Sequence, residues 1–350
     1  MVAAPSLRVR FISRKWKPAI GGMETYSVRL AEELAKRCRL ETDVLPGRLS
    51  GKPPGAVRLL QFGIGSALRL LIARRPDVVH IGDLASWPLG WIASLRHPAS
   101  RIVLSAHGSD VGYAKRQSVR ARLYGAYLRA GARLLGGALL IANSRWIARL
   151  AEEQGFRRTI VIVLGTDIAP RPGPARNNGC LFFAGRLARR KGLSFFIREV
   201  LPLIPDPPKI RVAGAVIDAD EAAILESEPV EYLGVLDSEA LAREYAGALC
   251  VIVPSLEPEG FGLVAAEAAV AGGVVLASAH SGLLEAVDEE TGFVADPADP
   301  ARWAEIVGRI RGWSSDERGR FVAAAQAKSS AKFSWGRVAD ETLSAYTLRG

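Results

Sequence analysis

The stretch LCVIVPSLEPEGFGLVAAEAAVAGGVVLAS, residues 249–278, contains one complete strand–helix–strand unit. An apolar run at 249–255 predicts a strand, small and apolar residues at 262–272 predict a helix, and residues 274–278 predict a second strand. The strands are continuous apolar runs without apolar–polar alternation, which is typical of parallel sheets covered by helices on both faces. The stretch therefore predicts an α/β fold built on a parallel sheet.

The same alternation runs outward from this unit in both directions. Strands are predicted at LRVRFIS, DVVHIG, RIVLSAHG, LLIANS and TIVIVLG, and again at CLFFAG, KIRVAG and VEYLG. The Pro- and Gly-rich segment APRPGPARNNG, residues 169–179, separates the two groups and is the best linker candidate. We therefore expect two doubly wound, Rossmann-like domains facing a cleft, at residues 1–170 and 171–332. A final helix at 333–350 is expected to cross back to the first domain.

Composition places the chain among ordinary globular proteins. Of its 350 residues 49% are hydrophobic, and its three cysteines form no CxxC pair, so we expect free thiols in a reducing compartment. The N-terminus lacks the apolar core of a signal peptide. No apolar run reaches the roughly 18 residues of a spanning helix. These features predict a cytoplasmic protein.

The net charge of +10 is unevenly distributed along the chain. Residues 1–170 carry 27 Lys and Arg against 11 Asp and Glu, whereas residues 171–350 carry 19 against 25. The basic half should attract an anionic partner such as phospholipid, nucleic acid or a phosphorylated substrate. A solvated basic surface is the alternative interpretation.

Arg186 and Lys191 are two of the four basic residues in GRLARRKG, residues 185–192, which follows the first strand of the second domain. Ligands of doubly wound sheets bind beyond the carboxyl ends of the strands. Arg186 and Lys191 could there neutralise a diphosphate without a metal. The alternative is a solvated basic turn.

Two glutamates lie in neighbouring elements: Glu259 in the turn PEGFG, and Glu267 in the helix predicted to follow it. Free backbone N–H groups at a helix N-terminus favour an anion or a hydroxyl-rich ligand, and Glu259 could accept hydrogen bonds from sugar hydroxyls there. Glu267 is expected about two turns into the helix, where its carboxylate could bind a vicinal diol such as ribose. A solvated helix face is the alternative for Glu267, although its small apolar neighbours make that placement costly.

The tripeptide Asp218-Ala219-Asp220 resembles an Asp-x-Asp metal motif. It follows the strand KIRVAG and precedes the helical run EAAILE. Aspartates at such a position cap a helix and complement its dipole. We therefore expect a helix N-terminus there and no metal site.

Taken together, GRLARRKG and EPEGFGLVAAEA resemble the nucleotide-sugar site of retaining GT-B glycosyltransferases of family four. GGMETYS, DVVHIGD, SAHGSD, IANS and SGLLEAVDEETGFVADPADP follow in the family's order and cover nearly the whole chain. The resemblance implies transfer of a hexose-type sugar from UDP-sugar or GDP-sugar to a glycan or lipid-linked acceptor, with retained stereochemistry and without a metal or cofactor. This activity is typical of cell-surface polysaccharide and glycolipid synthesis.

The resemblance also implies a role for each matching residue. Glu259 and the amides of Gly260, Phe261 and Gly262 would hold the donor sugar, Glu267 the ribose, and Arg186 and Lys191 the diphosphate. Gly21 and Gly22 would let the backbone approach the phosphate or acceptor, and His107 would lie near the sugar as a hydrogen-bond donor. His80 is as readily interpreted as a packed residue. Asp110 could hold the His107 loop or cap a turn. Ser281 replaces the first glycine of a common Gly-Gly pair.

The acceptor side is predicted from the basic half. The segment Tyr113–Leu140 carries six basic residues interleaved with Leu and Tyr, a pattern typical of a membrane-surface helix. We expect it to dock on anionic lipid at the inner face of the membrane; a core helix with a solvated basic face is the alternative. No nucleic-acid module is recognisable. A non-catalytic relative, an epimerase and a sugar phosphorylase stay open as other functions.

Overall fold

The computed structural model describes residues 7–19, 21–48, 54–171, 177–227 and 229–348. The centre of the predicted linker, residues 172–176, lies outside the described residues, as does Ile20 in the loop before GGMETYS. The chain divides into two compact units. The N-terminal unit comprises Met1–Gly165 with Trp335–Gly350, and the C-terminal unit comprises Thr166–Ser334.

The N-terminal unit contains a six-stranded sheet in which every neighbouring pair is parallel. Its strands are β1 Arg8–Trp16, β2 Arg39–Pro46, β3 Val78–Ile81, β4 Arg101–Ala106, β5 Leu139–Ala142 and β6 Thr159–Val161. They lie in the order β2-β1-β3-β4-β5-β6. Its helices are α1 Gly22–Ala35, α2 Ala56–Ile72, α3 Trp87–Arg96, α4 Ser109–Gly112, α5 Val119–Leu134, α6 Arg145–Glu153 and the C-terminal helix Trp335–Thr347.

The C-terminal unit contains a second six-stranded parallel sheet. Its strands are β7 Leu181–Ala184, β8 Ile210–Ala213, β9 Val230–Tyr232, β10 Cys250–Val253, β11 Val275–Ser278 and β12 Gly292–Ala295. Its helices are α7 Leu193–Phe195, α8 Ala219–Ile224, α9 Ser238–Gly247, α10 Leu263–Ala271, α11 Leu283–Ala286, α12 Pro300–Arg311 and α13 Ser315–Lys332. A π-helical turn at Phe196–Val200 and a 3-10 turn at Leu201–Leu203 continue α7.

The prediction of parallel α/β sheets is confirmed, and the reason lies in the burial of the strands. Every residue of β3, β5, β7, β10 and β11 is buried, as expected for strands covered on both faces. The strands predicted from the sequence do not include β2, RLETDVLP, because this edge strand buries only Asp43 and Leu45. An edge strand with one covered face lacks the apolar run that reveals the central strands.

The sheet order of the C-terminal unit fixes where a ligand can bind. From β7 the chain proceeds through β8 to β9 on one side, and from β10 through β11 to β12 on the other side. β7 and β10 are therefore the neighbouring strands at which the order reverses. In open parallel sheets the crevice beyond the carboxyl ends at this switch point is the usual ligand site.

The compartment expected from the sequence depends on the state of the cysteines and on the character of the helices. The cysteines form no disulfide; Cys250 is buried, while Cys38 and Cys180 are half-buried. None of the described helices combines the length and apolar character that crossing a bilayer requires.

Candidate functional site

The loops that follow β7 and β10 pack closely against each other in the C-terminal unit. The contact occurs at Gly192, which has a φ of +74°, and a Cβ at this position would lie 1.9 Å from the Pro254 carbonyl oxygen. The amide of Leu256 donates to the carbonyl of Arg190 at 2.9 Å. Glycine is required because its backbone adopts the left-handed conformation and leaves room for the carbonyl. This packing positions the residues before Gly192 beside the loop that follows Pro254.

A substitution at Gly192 should therefore cost more than backbone strain alone. We expect Gly192→Ala to lower the free energy of unfolding by about 3 kcal/mol, through left-handed strain and overpacking together. Gly234 is a matched control because it also has a φ of +74° but no atom within 4 Å of its added Cβ. Gly234→Ala should cost only about 1 kcal/mol. Urea unfolding measures both variants, and equal losses would contradict the packing role of Gly192.

The central feature of the site is an ion pair between Lys191 and Glu259. Lys191 Nζ donates to Glu259 Oε1 at 2.7 Å, and the two side chains are only 14% and 12% exposed. Ser255 Oγ donates to the same carboxylate oxygen. Burial acts to raise the pKa of Glu259, but Lys191, Ser255 and Arg190 outweigh it and hold the pKa below its ordinary value. Glu259 is therefore an anion at neutral pH.

A second set of hydrogen bonds fixes the backbone at Glu259. Its N–H donates to Ser281 Oγ at 2.9 Å, and its carbonyl accepts from the Gly282 amide at 3.0 Å. His280 Nε2 donates to the Ser255 carbonyl at 2.7 Å, and His280 Nδ1 lies 3.0 Å from Ser281 Oγ. Ser281 adopts a φ of +54°, a conformation that non-glycine residues seldom take. The serine at this position thus adds a hydroxyl contact to the Glu259 loop.

The turn before α10 leaves a row of backbone donors. Within the part of the chain that the structure describes, the amides of Gly260, Phe261 and Gly262 donate no hydrogen bond to protein. The Phe261 ring is buried and packs edge-on against Phe333 at 5.8 Å. Because the side chain points inward, the turn presents its backbone N–H groups at the helix N-terminus, where negative charge and hydroxyl oxygens are favoured.

Glu267 lies nearer the start of its helix than predicted. α10 begins at Leu263, so Glu267 is just over one turn inside it, about 6 Å along the axis, and not two turns. Tyr245 Oη donates to Glu267 Oε2 at 3.3 Å. Burial raises the pKa of Glu267 to about 7, and the charge of Asp167 acts in the same direction. The pKa values of Glu259 and Glu267 are therefore shifted in opposite directions.

Arg186 differs from Lys191 in its surroundings. Its side chain is exposed directly after β7, and it has no ion-pair partner among the described residues. Asp218 stands before α8 as predicted, but its side chain makes no cap bond. Asp218 Oδ2 instead accepts from the Arg189 amide at 2.8 Å, which anchors the basic loop. Across the described ranges, no group of three or more His, Cys, Asp or Glu side chains is placed to hold a metal ion.

The remaining predicted site residues lie in the N-terminal unit. Gly21 has extended backbone and precedes α1, which begins at Gly22, and no atom lies within 4 Å of a Cβ added to Gly22. His107 Nε2 donates to the Gly82 carbonyl at 3.0 Å. Asp110 holds this loop, since its Oδ1 accepts from the amides of His107 and Gly108.

His80 is a packed residue that helps to attach the C-terminal helix. It is fully buried, with Nδ1 2.6 Å from Tyr346 Oη and Nε2 2.7 Å from Ser105 Oγ. Burial, helped by the nearby His107, lowers the pKa of His80 to about 3. Tyr26 Oη also bonds to Ser105 at 2.8 Å, and its ring lies 4.4 Å from that of His107. The neutral His80 thus belongs to the core beneath the His107 loop.

The predicted membrane-surface segment Tyr113–Leu140 is not one helix. It comprises a 3-10 turn at Tyr113–Lys115, α5 and the first strand residues of β5. Within α5, Leu128 is buried, and Tyr124 and Tyr127 pack against the hydrophobic core of the unit. Four of the eight exposed residues of α5 are arginines.

Sequence reasoning overlooked three residues of the site. Ser255 and His280 directly follow β10 and β11, so their position beyond a strand end was a usable signal. Tyr245 lies on α9 and reaches Glu267 from another helix. No local pattern could have revealed that contact.

Two parallel sheets with a polar site at a strand switch point define a doubly wound α/β protein. The family model for glycosyl transferases group 1 matches residues 179–311, and that for glycosyltransferase family 4 matches residues 20–169. The chain belongs to these glycosyltransferases, and its fold is GT-B with two Rossmann-like domains.

Similar proteins include enzymes with different activities. A D-inositol 3-phosphate glycosyltransferase from Frankia alni is 28% identical, covering 93% of this chain and 94% of its own. Sucrose-phosphate synthase from Thermosynechococcus elongatus superposes with a TM-score of 0.76 at 22% identity, covering 97% of this chain and 98% of its own. Anabaena HepE, solved with UDP and glucose, gives 0.73 at 19% identity, covering 98% and 100%.

Proposed function

We propose that the protein is a retaining glycosyltransferase that moves a hexose-type sugar from UDP or GDP to a glycan or lipid-linked acceptor. The observation that carries the proposal is the buried Lys191–Glu259 pair beside the unbonded amides before α10. A cation, an anion and backbone donors at one switch point match the three needs of a sugar diphosphate. These are charge neutralisation, hydroxyl recognition and anchoring.

The diphosphate is assigned to Arg186 and Lys191. An ammonium group has three donors, and Glu259 takes one of those on Lys191. Two remain for phosphate oxygens while the ion pair stays intact. Arg186 is exposed and adds a planar, permanently charged group suited to phosphate. These two cations would supply the charge that a divalent metal provides elsewhere, so we propose transfer without metal or cofactor.

The two glutamates are assigned to the two ends of the donor. Glu259, held as an anion by Lys191, would accept hydrogen bonds from sugar hydroxyls next to the amides of Gly260, Phe261 and Gly262. Glu267, on the adjoining helix, would accept from the ribose diol. The roles that the resemblance gives to Gly21, Gly22 and His107 stay predictions.

The chemistry follows from where charge develops. When the bond from the anomeric carbon to phosphate oxygen breaks, its electron pair goes to the diphosphate and positive charge develops on the sugar. Arg186 and Lys191 would stabilise the negative charge on the diphosphate, and Glu259 would stabilise the positive charge on the sugar. The acceptor hydroxyl would attack from the face that the phosphate leaves, and its proton would pass to the departing phosphate oxygen. The new bond then retains the configuration of the old one.

A similar protein suggests the class of donor, and the charge of residues 1–170 suggests the class of acceptor. HepE was solved in complex with UDP and glucose, so UDP-glucose is the first donor to test. The basic surplus of residues 1–170 favours an acceptor that is anionic or held at an anionic membrane. We propose that the protein acts in the cytoplasm at the inner face of that membrane, in glycolipid or surface-polysaccharide synthesis.

Thermal stabilisation by nucleotides tests the donor assignment. With EDTA present, millimolar UDP or GDP should raise the melting temperature by about 5 °C, because a ligand at 100 times its Kd adds about 2.7 kcal/mol. Arg186→Ala should abolish the shift and leave the ligand-free melting temperature unchanged. If neither nucleotide nor its sugar conjugates stabilise the protein, the donor assignment is wrong.

A further inference from the structure

Helix α2 presents an apolar stripe to solvent. Six large apolar side chains on α2 are exposed, from 45% at Leu71 to 83% at Ile72. They are Val57, Leu60, Ile64, Leu68, Leu71 and Ile72. The opposite side of the helix buries Phe62, Ser66 and Leu70 against the N-terminal unit. A surface helix of a globular protein normally turns its polar side to water, so this outward face requires another explanation.

The spacing of these residues makes them a single surface. Successive steps of three or four residues place side chains on one side of a helix. The 17 residues of α2 extend the stripe over about 25 Å. At the far end α3 lies against α2, since Arg96 Nε donates to the Leu71 carbonyl at 3.0 Å, and Leu95 on α3 is 65% exposed.

The sequence that contains α2 carries charge of one sign. Between Asp43 and Asp77 the sequence has six basic residues and no acidic one. Arg69 is exposed on one flank of the stripe and pairs with Asp43 at 2.5 Å. Arg74 and Arg75 follow the helix, are exposed, and have no ion-pair partner in the described part of the chain. An apolar stripe bordered by arginines complements a surface that is apolar within and anionic at its boundary.

Helix α5 lacks the combination of exposed apolar area and bordering charge that α2 has. Only Val119, Leu123 and Leu134 are exposed large apolar side chains on α5, and arginines occupy much of the rest of its surface. α5 can contribute long-range attraction but little apolar area. α2 has both the apolar area and the bordering charge.

We propose that α2 lies in the interface of an anionic phospholipid bilayer, with its apolar stripe among the upper acyl chains. The flanking arginines would then lie at the lipid headgroups, the arrangement that interfacial amphipathic helices adopt. This inference deepens the proposed function, on which its link to a lipid-linked acceptor rests. None of the α2 residues belongs to the donor site in the C-terminal unit.

Vesicle cosedimentation of the full chain tests the proposal. The probes are phosphatidylcholine vesicles with and without phosphatidylglycerol, and the variant is Leu60→Gln with Ile64→Gln and Leu68→Gln. We expect wild-type protein to bind the anionic vesicles, and the triple variant to bind at least about tenfold more weakly because it inserts less apolar area. The matched control, Val119→Gln with Leu123→Gln on α5, should stay within about twofold of wild type. Arg74→Gln with Arg75→Gln should weaken binding by about fivefold for each arginine removed.

Three outcomes would overturn the inference. They are absence of wild-type binding to anionic vesicles, equal binding by the triple variant, and a dimer in light scattering that the triple variant dissociates. The last result would assign the stripe to a second copy of the chain. The triple variant should retain the nucleotide-induced thermal shift, because the substituted residues lie outside the donor site. If the protein bound vesicles but no nucleotide raised its melting temperature, the proposed function would be contradicted, whereas membrane binding through α2 would still be supported.

Discussion

Lys191→Met is expected to lose both donor binding and stability. The variant leaves the Glu259 carboxylate with 12% exposure and no directly bonded cation. Removing one partner of a buried pair typically costs about 3 kcal/mol or more, and we expect about 2–3 kcal/mol here because both side chains retain some solvent contact. Losing two charge-assisted hydrogen bonds to phosphate should weaken nucleotide binding by at least about 100-fold.

A double variant separates these two effects. Adding Glu259→Gln to Lys191→Met removes the unpaired charge, so most of the lost stability should return while sugar transfer stays abolished. Arg186→Ala provides the comparison, since this exposed side chain has no ion pair among the described residues. It should lose nucleotide affinity and change stability by less than about 0.5 kcal/mol. Urea unfolding and nucleotide titration measure the two properties. If the double variant were no more stable than Lys191→Met, the ion pair would not explain the loss.

Glu267→Gln is expected to stabilise the ligand-free protein at alkaline pH. Burial gives Glu267 a pKa of about 7 in the folded chain against an ordinary value of 4.5. Since the folded state holds this proton more tightly, the stability that the group contributes is present below pH 4.5 and is lost as pH rises through 7. Glutamine carries no such charge, so the variant should exceed wild type by about 2–3 kcal/mol at pH 8.

The difference between the two unfolding curves is the informative quantity, because other titrating groups are common to both proteins. Wild type and variant should have similar free energies of unfolding near pH 4.5 and diverge between pH 5 and 8. Parallel curves across this range would mean that Glu267 titrates normally and that burial does not shift its pKa. The same variant should bind nucleotide more weakly, so this position would exchange stability for ligand recognition.

The fold was predictable wherever strands are buried on both faces. β3, β7 and β10 are visible as apolar runs because helices cover them on two sides. β2 was missed because it lies at the sheet edge with most of its residues exposed. The change from α-helix to a π-helical turn after Phe195 was likewise not predicted from the helical pattern of residues 192–204.

The candidate site was predictable where a residue lies in a loop that follows a strand. Arg186, Lys191 and Glu259 were predicted as site residues because loops at strand ends carry ligand contacts. The Lys191–Glu259 bond itself was not predicted, because it depends on the packing of Gly192 against Pro254. Tyr245 was not predicted for a similar reason, since it bonds to Glu267, which lies on another helix and 22 residues further along the chain.

Calorimetric titration of UDP and UDP-glucose into wild type, Glu259→Ala and Glu267→Ala tests most directly whether the two glutamates bind opposite ends of one donor. If the thermal series selects GDP, the corresponding guanosine pair replaces these ligands. We predict that Glu267→Ala weakens both ligands equally, by about 10- to 100-fold. Glu259→Ala should weaken UDP-glucose by a similar factor and leave UDP at least as tightly bound. If Glu259→Ala weakened UDP and UDP-glucose alike, or Glu267→Ala weakened neither, the assignment of the two glutamates would be contradicted.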